Sequence, residues 1–129
     1  MNTVFLLDHV VETSEIDTLN HVNNVVYVQW MEKVAMAHWN FLTKDHPMDD
    51  YVWVVMRHEI DYLKQAVLGD EISIKTWVGH TKGFKSERHI AFYKNEDLLV
   101  KAVTVWAMLD AKTFKPTRIT EKILKVLQA

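Results

Sequence analysis

The sequence predicts an α+β fold in which a long central helix is wrapped by a curved five-stranded antiparallel sheet and a short helix follows at the C-terminal end. Two observations predict it. The spacing of apolar residues changes from two to three or four at Asn23 and returns to two after residue 50. Only three glycines and two prolines occur in 129 residues, so the elements should be long and their connections short. No repeat or linker divides the chain, and we expect one domain over residues 1–129.

The first two elements are a strand and the long helix. Residues 4–11 alternate as a strand does, and the polar residues 12–20 end it. From Asn23 the apolar residues form two neighbouring helical rows, so the helix is apolar around much of its circumference and something must enclose it. Pro47 marks the helix end near His46. The two rows are Tyr27, Met31, Val34, His38 and Phe41, and Val28, Ala35, Trp39 and Leu42.

Four further strands are predicted at residues 52–62, 72–78, 87–93 and 98–109. Gly69 and Asp70 provide one turn, residues 79–83 a loop, and residues 95–97 a hairpin turn. Consecutive strands with short turns favour antiparallel pairing, and the apolar helix must cover one face of their sheet. The last strand is the longest and most apolar, so we place it near the centre.

Two finer expectations concern side-chain direction and the chain end. Unbroken alternation in the second strand puts its even-numbered residues 52–62 on one face and its odd-numbered residues on the other. In the fourth strand, Arg88 shares a face with Ile90 and Phe92. After Pro116, Thr120 should cap a short helix. The apolar stripe of that helix is Ile123, Leu124 and Leu127.

The composition excludes several functions. A net charge of −2 gives no bulk attraction to nucleic acid or to an anionic membrane, and we expect neither as a partner. Cysteine is absent, which excludes disulfides and thiol chemistry and suits a cytoplasmic location. We expect no signal peptide, because no basic region precedes the short apolar run at the N-terminal end. No glycine-flanked serine, phosphate-binding loop or zinc-binding histidine spacing is present, so we expect no metal or cofactor.

Residues 17–27 are the unusual segment, since they hold an acid, an imidazole and three amides between the first strand and the buried helix. One interpretation is structural, because Asn20, Asn23 or Asn24 could cap the helix. A cap needs only one of them. The other polar groups would be unfavourable beside an apolar helix unless they form hydrogen bonds. At a helix N-terminus, N–H groups and a partial positive charge can polarise a thioester carbonyl, while Asp17 attacks it or activates water. His21 could hold that water or the carbonyl.

Tyr27, Trp30 and Met31 follow on the helix and could line a pocket for an acyl chain. Five tryptophans and six methionines in the chain fit such a pocket or a subunit interface. Ordinary core packing is the explanation that the sequence favours.

The run D-x-x-x-H-V-N-N-x-x-Y-x-x-W-x-E resembles the hotdog-fold thioesterases of the 4-hydroxybenzoyl-CoA and acyl-ACP thioesterase superfamily. A later stretch, residues 57–62 with residues 69–72, is similar to the second and third strands of that family. The resemblance implies a coenzyme A or acyl-carrier-protein thioester as substrate, no metal, and an obligate homodimer with two sites at the subunit interface, either alone or paired with a second dimer into a tetramer. The motif residues here are Asp17, His21, Val22, Asn23, Asn24, Tyr27, Trp30 and Glu32.

The resemblance also implies residue roles. Asp17 matches the family's nucleophile or general base, and the helix-start amides Asn23 and Asn24 match groups that bind and activate the carbonyl. Two positions depart from the pattern. Asn20 replaces a frequent glycine, although asparagine tolerates the left-handed backbone that the turn needs. Leu19 stands where the plant enzymes carry asparagine, so the role of His21 stays open.

Cations would be needed for the phosphates of coenzyme A. Lys82, Lys85 and Arg88 are expected to cluster around a loop and strand start, with Arg57 as a further candidate. For any single one of them, an ordinary solvated surface charge is the favoured interpretation. The sequence thus predicts hydrolysis of an acyl-CoA or acyl-ACP thioester, with a hotdog hydratase or dehydratase and a non-catalytic acyl-binding module as alternatives.

Overall fold

The computed structural model of the chain describes residues 3–129, so the first two residues of the predicted domain lie outside the described residues. Five antiparallel strands form one sheet in the order β1-β3-β4-β5-β2. The elements along the chain are β1 (Phe5–Val10), a short 3-10 helix (Thr13–Glu15), α1 (Asn24–Leu42), β2 (Tyr51–Tyr62), β3 (Glu71–Lys82), β4 (Lys85–Lys94), β5 (Asp97–Asp110) and α2 (Glu121–Leu127). The predicted fold class and element order are confirmed.

Helix α1 packs against one face of the sheet. Its buried residues include Tyr27, Trp30, Met31 and Val34, which join side chains from β3, β4 and β5 in the main core. The helix ends at Leu42 rather than near His46, because the Thr43 hydroxyl and backbone N–H both donate to the Trp39 carbonyl. No helix among residues 3–129 is long and apolar enough to cross a membrane.

The β3–β4 connection differs from the prediction. The expected loop at residues 79–83 is wrong, because β3 continues through Gly79 to Lys82 and pairs with β4 to its end. Gly79 and His80 form a bulge, and the turn itself is only Gly83, with a positive φ of 65°, and Phe84. The hairpin turn at Asn95 is confirmed, with a φ of 55°.

The strand order agrees with the expected place of the last strand. β5 is the longest strand, at 14 residues, has a partner on each side and lies next to the central strand β4. β1 and β2 form the two edges, and the 12-residue edge of β2 has no partner among the described residues.

A bulge in β2 overturns the predicted alternation. The pairing with β5 shifts between Val55 and Arg57, so Met56 is an extra residue. Trp53 packs on Trp39 of the helix, and Ile60 also packs into the core, although unbroken alternation would put these two residues on opposite faces. The bulge therefore lets odd-numbered residues before it and even-numbered residues after it face the helix.

The C-terminal helix follows the prediction. Thr120 caps α2 by accepting a hydrogen bond from the Ile123 backbone N–H. Ile123 and Leu127 are buried in a second, smaller core cluster with Val78 and Met108. This cluster lies under the C-terminal half of α1, where Trp39 packs against it.

Candidate active site

The polar segment predicted as the site is a narrow loop that leads directly into α1. The backbone N–H of Asp17 donates to the His21 carbonyl over 2.8 Å, and that of Asn23 donates to the Glu15 carbonyl over 2.9 Å. Ile16 and Val22 form an antiparallel bridge between these bonds. Asp17 and His21 therefore lie opposite each other in the loop, shortly before α1 begins at Asn24.

The carboxylate of Asp17 is held by its own loop. Its Oδ1 accepts hydrogen bonds from the backbone N–H groups of Leu19, at 2.9 Å, and His21, at 3.2 Å. Asn20 has a left-handed backbone with φ 65°, which confirms the expectation that asparagine adopts the backbone this turn needs. In residues 3–129 nothing donates to Oδ2, and the side chain is exposed. One oxygen thus fixes the carboxylate and the other is available for chemistry.

The two asparagines at the start of α1, Asn23 and Asn24, have different roles. Asn23 is the cap, since its Oδ1 accepts from the Val25 N–H over 3.1 Å. Asn24 follows it, and within the described part of the chain neither its backbone N–H nor its side-chain amide has a hydrogen-bond partner. The Asn24 carbonyl accepts from the hydroxyl of Tyr62, at 3.4 Å. Two donors of Asn24 therefore stand at the positive end of the helix.

His21 is half-buried and tied down through its backbone. It forms a bridge with Val67, and the next residue, Val22, donates its N–H to the Ala66 carbonyl over 2.9 Å. Its imidazole has no hydrogen-bond partner among residues 3–129. The loop between β2 and β3 thus positions the segment, a role that sequence analysis did not assign.

The predicted acyl-pocket residues Tyr27, Trp30 and Met31 are all buried in the main core. Burial raises the pKa of Tyr27 to about 12, so its phenol stays protonated at physiological pH. The structure therefore supports the core-packing interpretation of these side chains, and contact with an acyl chain stays a prediction.

Sequence analysis did not identify Glu15, whose side chain connects the loop to neighbouring elements through hydrogen bonds. Its carboxylate accepts from Trp30 Nε1 over 3.0 Å and lies 2.8 Å from His9 Nε2. Burial raises the pKa of Glu15, but the hydrogen bonds from His9, the Glu12 backbone and Trp30 outweigh it and lower the pKa. This network joins β1, the loop and α1, and only the folded chain brings its members together.

The predicted phosphate-binding cations divide into two groups. Arg57, Lys82 and Lys85 line one depression on the sheet face opposite the helix, together with His80 and Glu87. Sequence analysis had no signal for the part played by His80, because it depends on the bulge in β3.

Arg88 does not join that group, which corrects the expected cluster. Its side chain is buried and bonds to His38 of the helix. The reason is the alternation of β4, which turns Arg88 toward the helix with Ile90 and Phe92, as the strand pattern predicted. Its guanidinium therefore lies on the helix side of the sheet, away from the other three cations. Among residues 3–129, no three histidine or acidic side chains converge on a point that could hold a metal ion.

Comparison with known families gives a match over residues 2–127 to the N-terminal domain of acyl-ACP thioesterases. The chain belongs to this family. A chloroplastic acyl-[acyl-carrier-protein] hydrolase of Cuphea viscosissima, FATB3, is 25% identical over 114 residues, which cover 86% of this chain and 28% of that protein. A palmitoyl-acyl carrier protein thioesterase of Gossypium hirsutum is 22% identical over 115 residues, with 87% and 28% covered. The chain thus spans under a third of the length of these acyl-ACP thioesterases.

Solved structures share the hotdog fold of this family member. A predicted thioesterase from Bacillus stearothermophilus superposes with a TM-score of 0.87 at 22% identity, covering 97% of this chain and 94% of that one. The protein SAV2348 from Staphylococcus aureus, solved in complex with CoA, gives 0.86 at 15% identity, with 98% and 82% covered. At these identities the likeness establishes the fold alone.

Proposed function

We propose that this chain hydrolyses an acyl thioester of coenzyme A or acyl carrier protein to a free acid and a thiol. The proposal rests on the different environments of the two carboxylate oxygens of Asp17. Backbone N–H groups hold Oδ1, and Oδ2 has no donor within residues 3–129. A carboxylate held in this way can attack a carbonyl carbon or remove a proton from water without first rearranging.

Electrostatic stabilisation is assigned to the start of α1. Attack on a thioester places negative charge on the carbonyl oxygen, and unpaired N–H groups at a helix N-terminus stabilise such charge. The backbone and side-chain N–H groups of Asn24 are available for this, since Asn23 already serves as the cap. Tyr62 holds the Asn24 carbonyl and thereby the orientation of the first turn. His21, on the same loop, would contact the water or the carbonyl.

The carrier is expected to bind across the outer face of the sheet. Coenzyme A and the pantetheine arm of acyl carrier protein both bring phosphate groups, which lysine and arginine bind. Arg57, Lys82 and Lys85 line one depression there. The names of the curated relatives favour acyl carrier protein, and the CoA complex of SAV2348 favours coenzyme A.

A homodimer is part of the proposal, and a tetramer formed from two dimers extends it. The free edge of β2 could pair with the same strand of a second copy. Exposed apolar side chains follow this edge, including Val54, Met56 and Leu63. Since Asp17 is exposed in one subunit, a second subunit would exclude water from the reacting groups. We place the enzyme in the cytoplasm.

The test of function is a thiol-release assay on acyl-CoA and acyl-ACP substrates of varied chain length. We expect saturable release with at least one carrier, and specific activity that falls when the protein is diluted below its dimer dissociation constant. Consumption of enoyl-CoA without thiol release would instead establish a hydratase. Saturable binding with no turnover on any substrate would establish an acyl-binding module.

A further inference from the structure

Arg88 is a buried cation with no anionic partner among the described residues. It is 6% exposed, and its Nη1 donates to His38 Nδ1 over 2.8 Å and to Thr76 Oγ1 over 3.1 Å. Burial lowers its pKa to about 10, so the guanidinium is still charged at neutral pH. No carboxylate of residues 3–129 lies within ion-pair distance of it. A charge buried without an opposite charge is unfavourable, which calls for a compensating group.

The neighbours of Arg88 cannot supply that compensation. Burial and then the Arg88 charge lower the pKa of His38 to about 4, so His38 is neutral and offers only a lone pair. Thr76 is neutral as well. A guanidinium has five N–H donors, and two are used here, so three remain without an acceptor in the described structure.

A cavity of about 40 Å³ lies against Arg88, between the C-terminal half of α1 and the sheet. Trp53 of β2 and Trp106 of β5 line it, and the indole Nε1 of each is buried without a hydrogen-bond partner. The volume holds a small polar group or a few waters rather than a whole amphiphile. Met36 also lines the cavity and is 54% exposed, so the cavity reaches the surface there.

The unsatisfied groups around this cavity are all donors. Arg88 lacks a counter-ion and the two indole Nε1 atoms lack hydrogen-bond partners in the described structure, whereas the one hydroxyl, that of Ser86, lies 2.8 Å from the Thr81 hydroxyl. The other walls are apolar and aromatic. We propose that the cavity binds the carboxylate of an aliphatic acid, with the guanidinium as counter-ion and the alkyl chain directed past Trp39 and Met36 to the surface.

This site is distinct from the start of α1. Ala35 and Trp39 line the cavity, 11 and 15 residues beyond Asn24, which places them about 16–23 Å along the helix axis. An aliphatic acid is also the class of product that thioester hydrolysis releases. The binding inference stands on Arg88 and its cavity and does not need the protein to be a hydrolase.

The experiment titrates the full chain at pH 7.5 with octanoate, octan-1-ol and octylamine. Tryptophan fluorescence and calorimetry report binding, since Trp39, Trp53 and Trp106 line the cavity. We expect saturable octanoate binding, at least about tenfold weaker binding of octanol, and none of octylamine. Equal binding of octanoate and octanol, or no saturable binding of octanoate, would overturn the proposal.

Variants locate the site. Arg88→Met should reduce octanoate affinity to that of octanol, and Trp106→Phe, which removes one donor and keeps an aromatic ring, should weaken it in a protein that folds even if Arg88→Met does not. Asp17→Asn should bind octanoate like the unmodified chain, which separates this site from the proposed active site. Octanoate affinity unchanged by Trp106→Phe and by Arg88→Met, or lost in Asp17→Asn, would refute the assignment.

Discussion

Acidification should destabilise this protein through His38, which is 2% exposed and accepts a hydrogen bond from Arg88. Burial, followed by the neighbouring guanidinium, lowers the pKa of His38 from 6.5 to about 4. Below pH 6.5 the unfolded chain therefore gains a proton at this residue and the folded chain does not. Stability falls as the pH falls toward 4 and levels off below it.

The magnitude follows from the two pKa values. Proton linkage with 6.5 unfolded and about 4 folded gives a loss of about 2 kcal/mol at pH 5 and about 3 kcal/mol at pH 4, against almost none at pH 7. Other groups titrate over the same range, so a matched variant is needed. His38→Gln keeps an oxygen that can accept from Arg88 but carries no titratable group.

Urea unfolding at pH 7, 6, 5 and 4 measures the difference. The chain with His38 should lose about 2 kcal/mol more than His38→Gln between pH 7 and pH 5. Parallel pH profiles for the two proteins would refute the reasoning, since they would mean that His38 titrates alike in the folded and unfolded states. A pKa for His38 near 6.5 in an NMR titration of the folded protein would do so independently.

Three further predictions concern single contacts. Gly79→Ala should cost about 1–3 kcal/mol in urea unfolding, because its Cβ would stand 2.6 Å from His89 Nε2, and adding His89→Ala should restore most of that loss. Asn23→Ala should cost about 1 kcal/mol through loss of the helix cap, whereas Asn24→Ala should lower kcat with little change in stability; the opposite pattern would exchange their roles. Tyr27→Phe should cost at most about 1 kcal/mol, because its buried hydroxyl interacts with the Ala66 backbone but forms no full hydrogen bond within residues 3–129, and a larger loss would reveal a stronger bond.

The fold was predictable because its patterns are local. The change of period at Asn23, the hairpin turn at Asn95 and the Thr120 cap are local signals, and the structure confirms these three. The bulge at Met56 was not predictable, because it adds one residue with no glycine or proline to mark it and then reverses every later side chain of the strand. Gly79 does mark the bulge in β3, but the sequence assigned that glycine to a loop.

In the candidate site, too, local contacts could be expected from the sequence and long-range contacts could not. Asp17, Asn20 and Asn23 act on neighbours within four residues, so a helix cap in this segment was predictable, but the structure was needed to show that Asn23 is the cap and that Asp17 Oδ1 closes the turn. Arg88 failed as a surface cation because a charged residue in an alternating strand is normally the solvent-facing one, and its partner His38 lies 50 residues away. Contacts of that range are created by the packing of α1 on the sheet.

The most direct measurement of the catalytic assignment compares Asp17→Asn with Asp49→Asn, an exposed acid in the loop after α1. Asparagine at position 17 keeps an oxygen to accept the Leu19 and His21 N–H groups, so the loop and the unfolding free energy should be preserved while the reactive Oδ2 is lost. We expect kcat/KM for thiol release to fall by about 100-fold or more in Asp17→Asn and to stay unchanged in Asp49→Asn. Full turnover by a folded Asp17→Asn protein would remove the carboxylate from the mechanism.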